Sequence, residues 1–408
     1  MKHKILDYID IIPFFCALLL IVLLQPFYFW GMNMIPVKFL FFLVIIPFFK
    51  IGNKNIAMLF FLLCVYLIIP ISRGLNITGM VEFVFLSIIP FLKYKFVKRT
   101  YQYFTIVYAS LMVVSIIVWI LVLSGVNLPN YTIDPLNDLK HYVYIAYPFL
   151  VIPTMDTSAD AVLLGFLRFH SVFDEPGIVG TISLILLYIN SFNFRKWYNI
   201  ALFASGILSF SIFFYIGAIV YGLLILYKQK KNRIRNLIMI AIGVVTFSII
   251  INSNQFLYDI IGHRFEYDEK SGKLVGDNRA DDDLKKYFSS IRGTSIYFWG
   301  DSTENIERFS ASAGYRNMVL RYGAVFFILF IIFWLLYAKT EFKNDRKSFV
   351  IFLILFIALQ YQRPSVRDVS FLFLYTAFVK CYNISFNSKL LSDEKYSKNK
   401  IVDIKNRD

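Results

Sequence analysis

Residues 104–123 read FTIVYASLMVVSIIVWILVL, an apolar stretch that decides the fold class of this chain. A helix of these 20 residues reaches about 30 Å, because each residue adds about 1.5 Å, and this length matches the hydrocarbon core of a bilayer. No charged side chain interrupts the stretch. It therefore predicts a transmembrane helix.

Apolar runs of this kind recur along the whole sequence. Of its 408 residues, 58% are hydrophobic, 19% aromatic and only 17% charged, and a water-soluble fold could not bury that much apolar surface. This composition excludes most soluble enzyme classes. We predict an all-α polytopic integral membrane protein with about 12 transmembrane helices. The apolar runs lie at residues 11–30, 36–49, 56–71, 77–92, 104–123, 178–192, 200–227, 237–251, 319–337, 349–359 and 371–382.

The basic residues predict the orientation of these spans. The chain carries 42 Lys and Arg against 27 Asp and Glu, a net charge of +15, which we attribute to membrane topology rather than to nucleic-acid binding. Both flanks of the run 200–227 are basic, so we predict two short helices there, with a turn near residues 209–211 that is either shielded by protein or lines a polar cavity. Both termini are then cytoplasmic. The clusters that predict cytoplasmic loops lie at residues 50–54, 93–99, 195–196 and 228–235.

This topology gives one transmembrane domain, residues 1–408, with two large periplasmic or external loops. The first external loop spans residues 124–177 and the second spans residues 252–318, while residues 383–408 form a polar cytoplasmic tail. Residues 142–153 are apolar but contain two prolines and are too short to cross, so we predict an interfacial or re-entrant segment there. Chemistry is expected in the two large loops, where most polar residues lie.

Signatures of metal or cofactor binding are missing from the sequence. The histidines at 141, 170 and 263 are isolated and form no ligand pattern such as H-E-x-x-H. We therefore expect no metal and no cofactor. Ionisable residues inside the apolar runs are scarce, which weighs against an ion-coupled pump. The three cysteines lie far apart in apolar runs, at positions 16, 64 and 381.

The end of the first external loop carries one candidate site residue. Asp174, Glu175 and Pro176 stand directly before an apolar run. They fit an ordinary helix start, because acids stabilise the positive end of the helix dipole and proline is tolerated in the first turn. The functional interpretation is that a carboxylate beside a cationic cavity accepts a proton from a sugar hydroxyl. Our candidate for this base is Glu175.

Arginines form the second group of candidates. Arg168 lies in the first external loop, and Arg279 and Arg316 lie in the second. Arg363 and Arg367 belong to the stretch Gln-Arg-Pro-Ser-Val-Arg, which is more cationic than an external turn needs. Taken singly, most such arginines contact solvent or lipid head groups. Several guanidinium groups converging on one cavity would instead hold a pyrophosphate without a metal.

In its spans, its two enlarged loops and these motifs, the sequence resembles the Wzy-type polysaccharide polymerases of the O-antigen polymerase and ligase superfamily. The topology of nearly the whole chain is similar to that of the family, and the motifs are short. They are Arg168 with residues 173–177, then Asn278-Arg279, Trp299-Gly300, Ser312, Arg316-Asn317 and Gly323.

The resemblance implies a GT-C-like fold and a metal-independent, inverting glycosyltransferase of the bacterial cytoplasmic (inner) membrane. Such an enzyme joins undecaprenyl-pyrophosphate-linked oligosaccharide repeat units into O-antigen or capsule chains on the outer face of that membrane. The partners implied are these lipid-linked glycans, membrane lipid, and a chain-length regulator and flippase of the same pathway. No nucleic acid is involved.

The resemblance also implies roles for individual residues. It implies pyrophosphate binding by Arg168, Arg279 and Arg316, and we add Arg363 and Arg367 as secondary candidates. We assign Arg168 and Arg279 to the neutralisation of the leaving pyrophosphate, because electrostatic stabilisation of that kind is usually the largest catalytic contribution. We assign Glu175 as the base that receives the acceptor's proton or as the acid that orients the acceptor.

Two alternatives are left open. An O-antigen ligase shares the architecture, but the related ligases use a histidine near the end of the last large loop, where this sequence has Ser312 and Arg316. A lipid-linked oligosaccharide flippase or another transporter would carry no covalent chemistry, and we expect it to have charges inside its helix bundle and short loops. Here the sequence places charges in long loops.

Overall fold

The computed structural model of this chain is mostly helical. It describes residues 2–52, 55–73, 77–136, 143–154, 168–228, 266–268, 273–274, 282–301, 305–306, 309, 314–343 and 345–382, with single residues between 235 and 262. The first nine helices are α1 (Lys2–Leu23), α2 (Ile35–Ile45), α3 (Ile56–Arg73), α4 (Ile77–Ile88), α5 (Tyr94–Leu123), α6 (Pro176–Ile189), α7 (Trp197–Leu208), α8 (Ile212–Lys228) and α9 (Asp282–Ser290). The others are α10 (Ser295–Trp299), α11 (Tyr315–Tyr322), α12 (Ala324–Phe342), α13 (Arg346–Gln362) and α14 (Val369–Tyr382).

Two helices are candidates for membrane spans by their length and composition. Within the described residues, α5 and α12 are long and apolar enough to cross a membrane, and eight shorter apolar helical stretches of 10–17 residues accompany them. On α5, Tyr108 and Met112 are fully buried, whereas Ile117 and Ile120 are 53% and 51% exposed. This helix therefore packs one face on protein and presents an apolar face outward. The helical framework is confirmed, although length alone supports two spans rather than about 12.

The interior joins helices that are far apart in sequence. α1 and α2 pack together, α1 packs along α5, α12 packs on α3, and α6 packs on both α7 and α8. Trp334 of α12 contacts Phe356 of α13 and Tyr375 of α14, with ring centroids 6.2 and 5.4 Å apart. The hydroxyl of Tyr337 donates to the carbonyl of Pro90. Large aromatic side chains therefore hold the C-terminal helices to the N-terminal ones.

The predicted break in the run 200–227 is confirmed. Helix α7 ends at Leu208 and α8 begins at Ile212. In the turn between them, Ser209 and Ser211 are 0% and 4% exposed. A Cβ atom on Gly180 of α6 would lie 2.5 Å from Cβ of Ser211, so α6 packs directly on the turn. Protein therefore shields the turn, which is one of the two environments that a turn at this depth permits.

Two small antiparallel sheets lie in the connections. The first has the order β1-β2-β3, with β1 (Tyr131–Ile133), β2 (Val143–Tyr147) and β3 (Leu150–Thr154). In the second, β4 (Tyr267–Asp268) pairs with β5 (Lys273–Leu274). The mostly helical structure agrees with the all-α prediction, and these short strands lie in the connections between described helices.

The segment 142–153 was predicted to be interfacial or re-entrant, and it forms strands β2 and β3 instead. Tyr144 and Ala146 are fully buried and alternate with more exposed residues, which is the period of a strand with one packed face. Pro153 lies in β3, an edge strand of the described sheet, where the missing N–H group is tolerated. A run this short does not distinguish the two structures in sequence, because packing decides between them.

Candidate functional site

The loop before α6 is fixed to two other parts of the molecule. The carbonyl of Ser171 accepts a hydrogen bond from the N–H of Val151 in β3, at 2.8 Å. The carbonyl of Val172 accepts from the N–H of Phe27, just after α1, also at 2.8 Å. Residues 169–174 are all buried. The sheet and the end of α1 therefore determine where the chain emerges at Glu175.

Glu175 forms an ion pair with Arg363, which is 188 positions away in sequence. It occupies the N-cap position of α6, with Pro176 at N1, so the expected helix start is confirmed. Its side chain makes no capping hydrogen bond and contacts Arg363 Nη2 instead. Arg363 follows the last residue of α13 and packs against α6, since a Cβ atom on Gly177 would lie 3.4 Å from Nη2. The fold thus joins two residues that the sequence analysis proposed separately.

A cavity of about 230 Å³ lies beside this ion pair, where α1 ends, α6 begins and α13 turns into α14. We call it the Arg363 cavity. It is smaller than the ~300–1,000 Å³ of typical ligand sites, so it fits a small polar group rather than an oligosaccharide. Its polar lining consists of Gln25, Asp174, Arg363, Ser365 and Asp368.

Two carboxyl groups of the Arg363 cavity are held by local hydrogen bonds. The hydroxyl of Tyr144 lies 2.8 Å from the carboxylate of Asp174 and 2.7 Å from its carbonyl oxygen, and donates there. The carboxylate of Asp368 accepts from the N–H groups of Ser370 and Phe371, at 2.9 and 3.2 Å, and so caps α14. Burial raises the pKa of Asp368 above its ordinary value, and the two N–H groups oppose that rise.

Arg367 belongs to a second cluster on the other side of the same turn. It pairs with Glu82 of α4, and Glu82 also accepts a hydrogen bond from the ammonium of Lys38 in α2, at 2.9 Å. The side chain of Glu82 is only 12% exposed. The guanidinium of Arg367 lies over the ring of Phe83, 5.1 Å from its centroid. We call Lys38, Glu82 and Arg367 the Glu82 network.

Arg316 lies near the same corner of the molecule. Its guanidinium is 5.1 Å from the ring centroid of Tyr315, at the start of α11. Tyr315 in turn stacks on Tyr361, two residues before Arg363, with centroids 5.5 Å apart. Gly314 lies against the same segment, since its Cβ position is 3.4 Å from the carbonyl oxygen of Tyr361. Residues 314–316 therefore lie against the end of α13, directly before Arg363.

The remaining two predicted arginines are Arg168 and Arg279. Arg168 starts the fixed loop before α6 and lies close enough to Tyr215 of α8 for an electrostatic interaction. It therefore faces the turn between α7 and α8. Arg279 lies outside the described residues, so its role stays a prediction.

Several motif residues of the second external loop have structural roles. The amide of Asn317 donates to the carbonyl of Phe309 at 2.9 Å, and its oxygen accepts from Arg321 Nε at 2.8 Å. Gly323 joins α11 to α12 with φ +84°, and a Cβ atom there would lie 2.2 Å from the carbonyl oxygen of Phe298. Only glycine permits both this backbone conformation and this close approach.

Replacing Gly323 by alanine is expected to lower the free energy of unfolding by about 3 kcal/mol, because the strained φ and the clash with backbone add. Gly52→Ala is the matched control, since a Cβ atom there would meet nothing within 4 Å. The thermal unfolding of the two purified variants in detergent measures the difference. Equal unfolding temperatures would contradict this expectation, because the backbone near Phe298 would then move away from the added methyl group at little cost in free energy.

Sequence reasoning missed Lys38, Glu82 and Asp368. Glu82 and Lys38 stand inside the apolar runs 77–92 and 36–49, so a signal was present, because an ionisable residue within such a run needs a partner. This pair belongs to the few ionisable residues that the sequence places inside apolar runs. Asp368 gave no comparable signal, since an acid before a helix usually serves as a cap.

The described residues contain no group of three or more His, Cys, Asp or Glu side chains placed to hold a metal ion. The polar side chains of the Arg363 cavity are a guanidinium, two carboxyl groups, an amide and a hydroxyl. A guanidinium and nearby carboxyl groups can bind an anionic group and exchange a proton. No protein-family model, no curated protein and no solved structure matches this chain.

Proposed function

We propose that this chain is a multi-pass protein of the bacterial inner membrane, with about 12 spans and both termini in the cytoplasm. Segments assigned to one side of the membrane lie together, which supports this topology. Gln25 at the end of α1, Asp174 and Arg363 line one cavity, and all three are assigned to the outside. At the other end, the N–H of Lys50 donates to the carbonyl of Phe91 at 3.1 Å, which joins two segments assigned to the cytoplasm. The outward apolar face of α5 is consistent with contact with lipid.

We further propose that the protein is a glycosyltransferase of the Wzy type, which polymerises undecaprenyl-pyrophosphate-linked repeat units of O-antigen or capsule. One observation carries this proposal. It is the pairing of Glu175 with Arg363 beside a cavity whose size suits a diphosphate group. A base for the acceptor and a cation for the leaving group are the two functions that this reaction requires.

The reaction that we propose begins with an exchange of partners at Arg363. An arginine-paired carboxylate is a weak base, because the guanidinium stabilises its charged form. A pyrophosphate entering the cavity competes for Arg363 and presents more negative charge than Glu175 does. Binding of the donor therefore releases the carboxylate when it is needed.

Glu175 then takes the proton of the acceptor's sugar hydroxyl. The hydroxyl oxygen forms a bond to the anomeric carbon of the donor, with inversion, while the bond from that carbon to undecaprenyl pyrophosphate breaks. The electron pair of the broken bond goes to the pyrophosphate, whose charge Arg363 stabilises. Arg316, near the same corner, and Arg168 and Arg279 are proposed to bind the remaining phosphate oxygens.

A reconstitution experiment tests the function directly. The purified full-length protein is placed in liposomes with a synthetic lipid-linked repeat unit, and the products are separated by size. A polymerase produces a ladder of glycans without any other protein. Absence of both a ladder and free undecaprenyl pyrophosphate, when the substrate is demonstrably accessible, would contradict the proposal. Transfer of a finished glycan to a separate acceptor, with no ladder, would identify a ligase.

The Glu82 network favours a second candidate, a flippase for lipid-linked oligosaccharides. Such a transporter is expected to carry charges inside its bundle, and Lys38 and Glu82 lie within helices α2 and α4. The same liposomes distinguish the two functions. A flippase moves the lipid-linked unit between leaflets while leaving its mass unchanged, whereas a polymerase lengthens it.

A further inference from the structure

A second and larger pocket lies at the opposite end of the bundle from the Arg363 cavity. Its volume is about 420 Å³, within the ~300–1,000 Å³ of typical ligand sites. The N-terminal part of α5 forms one wall, through residues such as Tyr94, Lys98 and Tyr101. The end of α6 and the start of α7 form another wall, with Asn190 and Tyr198. We call it the Lys98 pocket.

The charged side chains that line the Lys98 pocket are both cations. They are Lys98 and Arg99, and within the described part of the chain no carboxylate belongs to the lining. The carboxylate of Asp10 is 3.7 Å from Arg99 Nε, and the Arg99 side chain is 58% exposed. This contact involves Nε, and the exposure leaves the guanidinium accessible to a ligand. The pocket therefore favours an anion.

Neutral groups add hydrogen-bonding capacity. The hydroxyl oxygen of Tyr94 is buried from solvent and has no hydrogen-bond partner within the described part of the chain. A buried hydroxyl without a partner destabilises the protein unless a ligand or a water molecule forms a hydrogen bond with it. The hydroxyl of Tyr101 donates to Asn190 at 2.8 Å, and the amide of Asn190 donates to Asn199 at 2.9 Å. These bonds hold the polar floor of the pocket in one arrangement.

The pocket also continues into an apolar surface. Ile106, one of its lining residues, is 42% exposed and lies one helical turn beyond Gln102 on α5. Farther along this helix, Ile117 and Ile120 are likewise exposed. A ligand with a charged end and an apolar tail fits this cationic pocket and the apolar face of α5 beside it.

We propose that the Lys98 pocket binds the phosphate head group of an anionic phospholipid from the cytoplasmic leaflet, with the acyl chains along α5. Lys98 and Arg99 belong to the basic cluster 93–99, which the topology assigns to the cytoplasmic face. Basic pockets between helices on that face are suited to anionic head groups. The head group competes with Asp10 for Arg99 and receives a hydrogen bond from Tyr94.

Native mass spectrometry of the purified full-length protein in detergent tests this site. Phosphatidylglycerol is expected to bind about tenfold more tightly than phosphatidylcholine. The double variant Lys98→Gln/Arg99→Gln is expected to lose this preference. Tyr94→Phe, which removes one hydrogen bond and no charge, is expected to weaken binding about threefold.

The matched control is Lys93→Gln/Lys95→Gln, which removes the same charge from the same basic cluster but outside the pocket. It is expected to keep the preference for phosphatidylglycerol within about twofold. Equal losses in the two double variants would overturn the proposal, since the attraction would then be a general effect of surface charge. Complete displacement of the lipid by millimolar inorganic phosphate would also overturn it, because the pocket would then be a site for free phosphate.

Discussion

Replacing Arg363 by glutamine is expected to lower the rate of glycan polymerisation by about 10²–10³-fold, the usual effect of losing one preorganised donor to a developing negative charge. Arg363 contacts Glu175 and lines the Arg363 cavity, so no other described arginine is as close to the proposed reaction. Arg363→Lys keeps the charge but loses the planar fork, and it is expected to retain part of the activity. The polymerisation rates of the wild-type protein and the two variants are compared by ladder formation in liposomes.

A purely structural ion pair would also be damaged by these substitutions, and a double variant separates the two roles. Glu175→Gln or Arg363→Gln alone leaves a partly buried charge without its partner, and both should lower stability. In Glu175→Gln/Arg363→Gln neither charge is left, so stability is expected to return toward the wild-type value. Activity is not expected to return, because the base and the pyrophosphate ligand are both lost. Recovery of the ladder in the double variant would show that the pair is only structural.

The control for Arg363 lies on the same helix. Arg346 begins α13 at its opposite end, where its side chain is exposed. Arg346→Gln is expected to change ladder formation less than about twofold, since an exposed charge away from the cavity contributes little. A loss as large as that of Arg363→Gln would indicate that overall charge, not position, controls activity.

Replacing Glu82 by glutamine is expected to lower the free energy of unfolding by about 1–2 kcal/mol, because Glu82 is nearly buried while solvent partly screens the more exposed Arg367. Glu82 is 12% exposed and lies between two cations, Lys38 and Arg367. Removal of its charge leaves both cations near each other without compensation, which is the costly way to disrupt a buried ion pair. Adding Lys38→Met removes one of these cations and is expected to recover part of the loss. Thermal unfolding in detergent measures the series.

Asp10→Asn is the matched control for this stability effect. The pair between Asp10 and Arg99 is longer, at 3.7 Å, and both side chains are far more exposed than Glu82. Such a surface pair contributes about 0–1 kcal/mol. The Glu82 network would be judged a surface feature if Glu82→Gln unfolded no earlier than Asp10→Asn.

The experiments also separate stability from function at the turn between α13 and α14. Arg363 and Arg367 are four residues apart, yet one pairs with Glu175 beside the cavity and the other with Glu82 in the bundle. We expect Arg363 variants to affect mainly activity and Arg367 variants to affect mainly stability. Under the flippase alternative, Glu82 variants that still fold would instead slow movement of the lipid-linked unit.

The sequence by itself determined the helical framework and several of its breaks. The apolar stretch 104–123 lies within α5, and basic flanks required the run 200–227 to break near Ser209, where the structure has its turn. These features follow from local physics, because hydrocarbon thickness sets span length and charge sets orientation. The start of α6 at Pro176 is equally local, since proline and a preceding acid specify a helix start.

Only the tertiary structure decided which charges meet. Glu175 and Arg363 are 188 positions apart, and Glu82 and Arg367 are 285 positions apart, distances over which no periodicity in the sequence indicates a contact. The strands at 143–154 likewise depend on packing, because their apolar residues fit a buried strand and a membrane segment equally well. Long-range pairing depends on how the helices pack as a whole, and the sequence therefore proposed Glu175 and Arg363 without joining them.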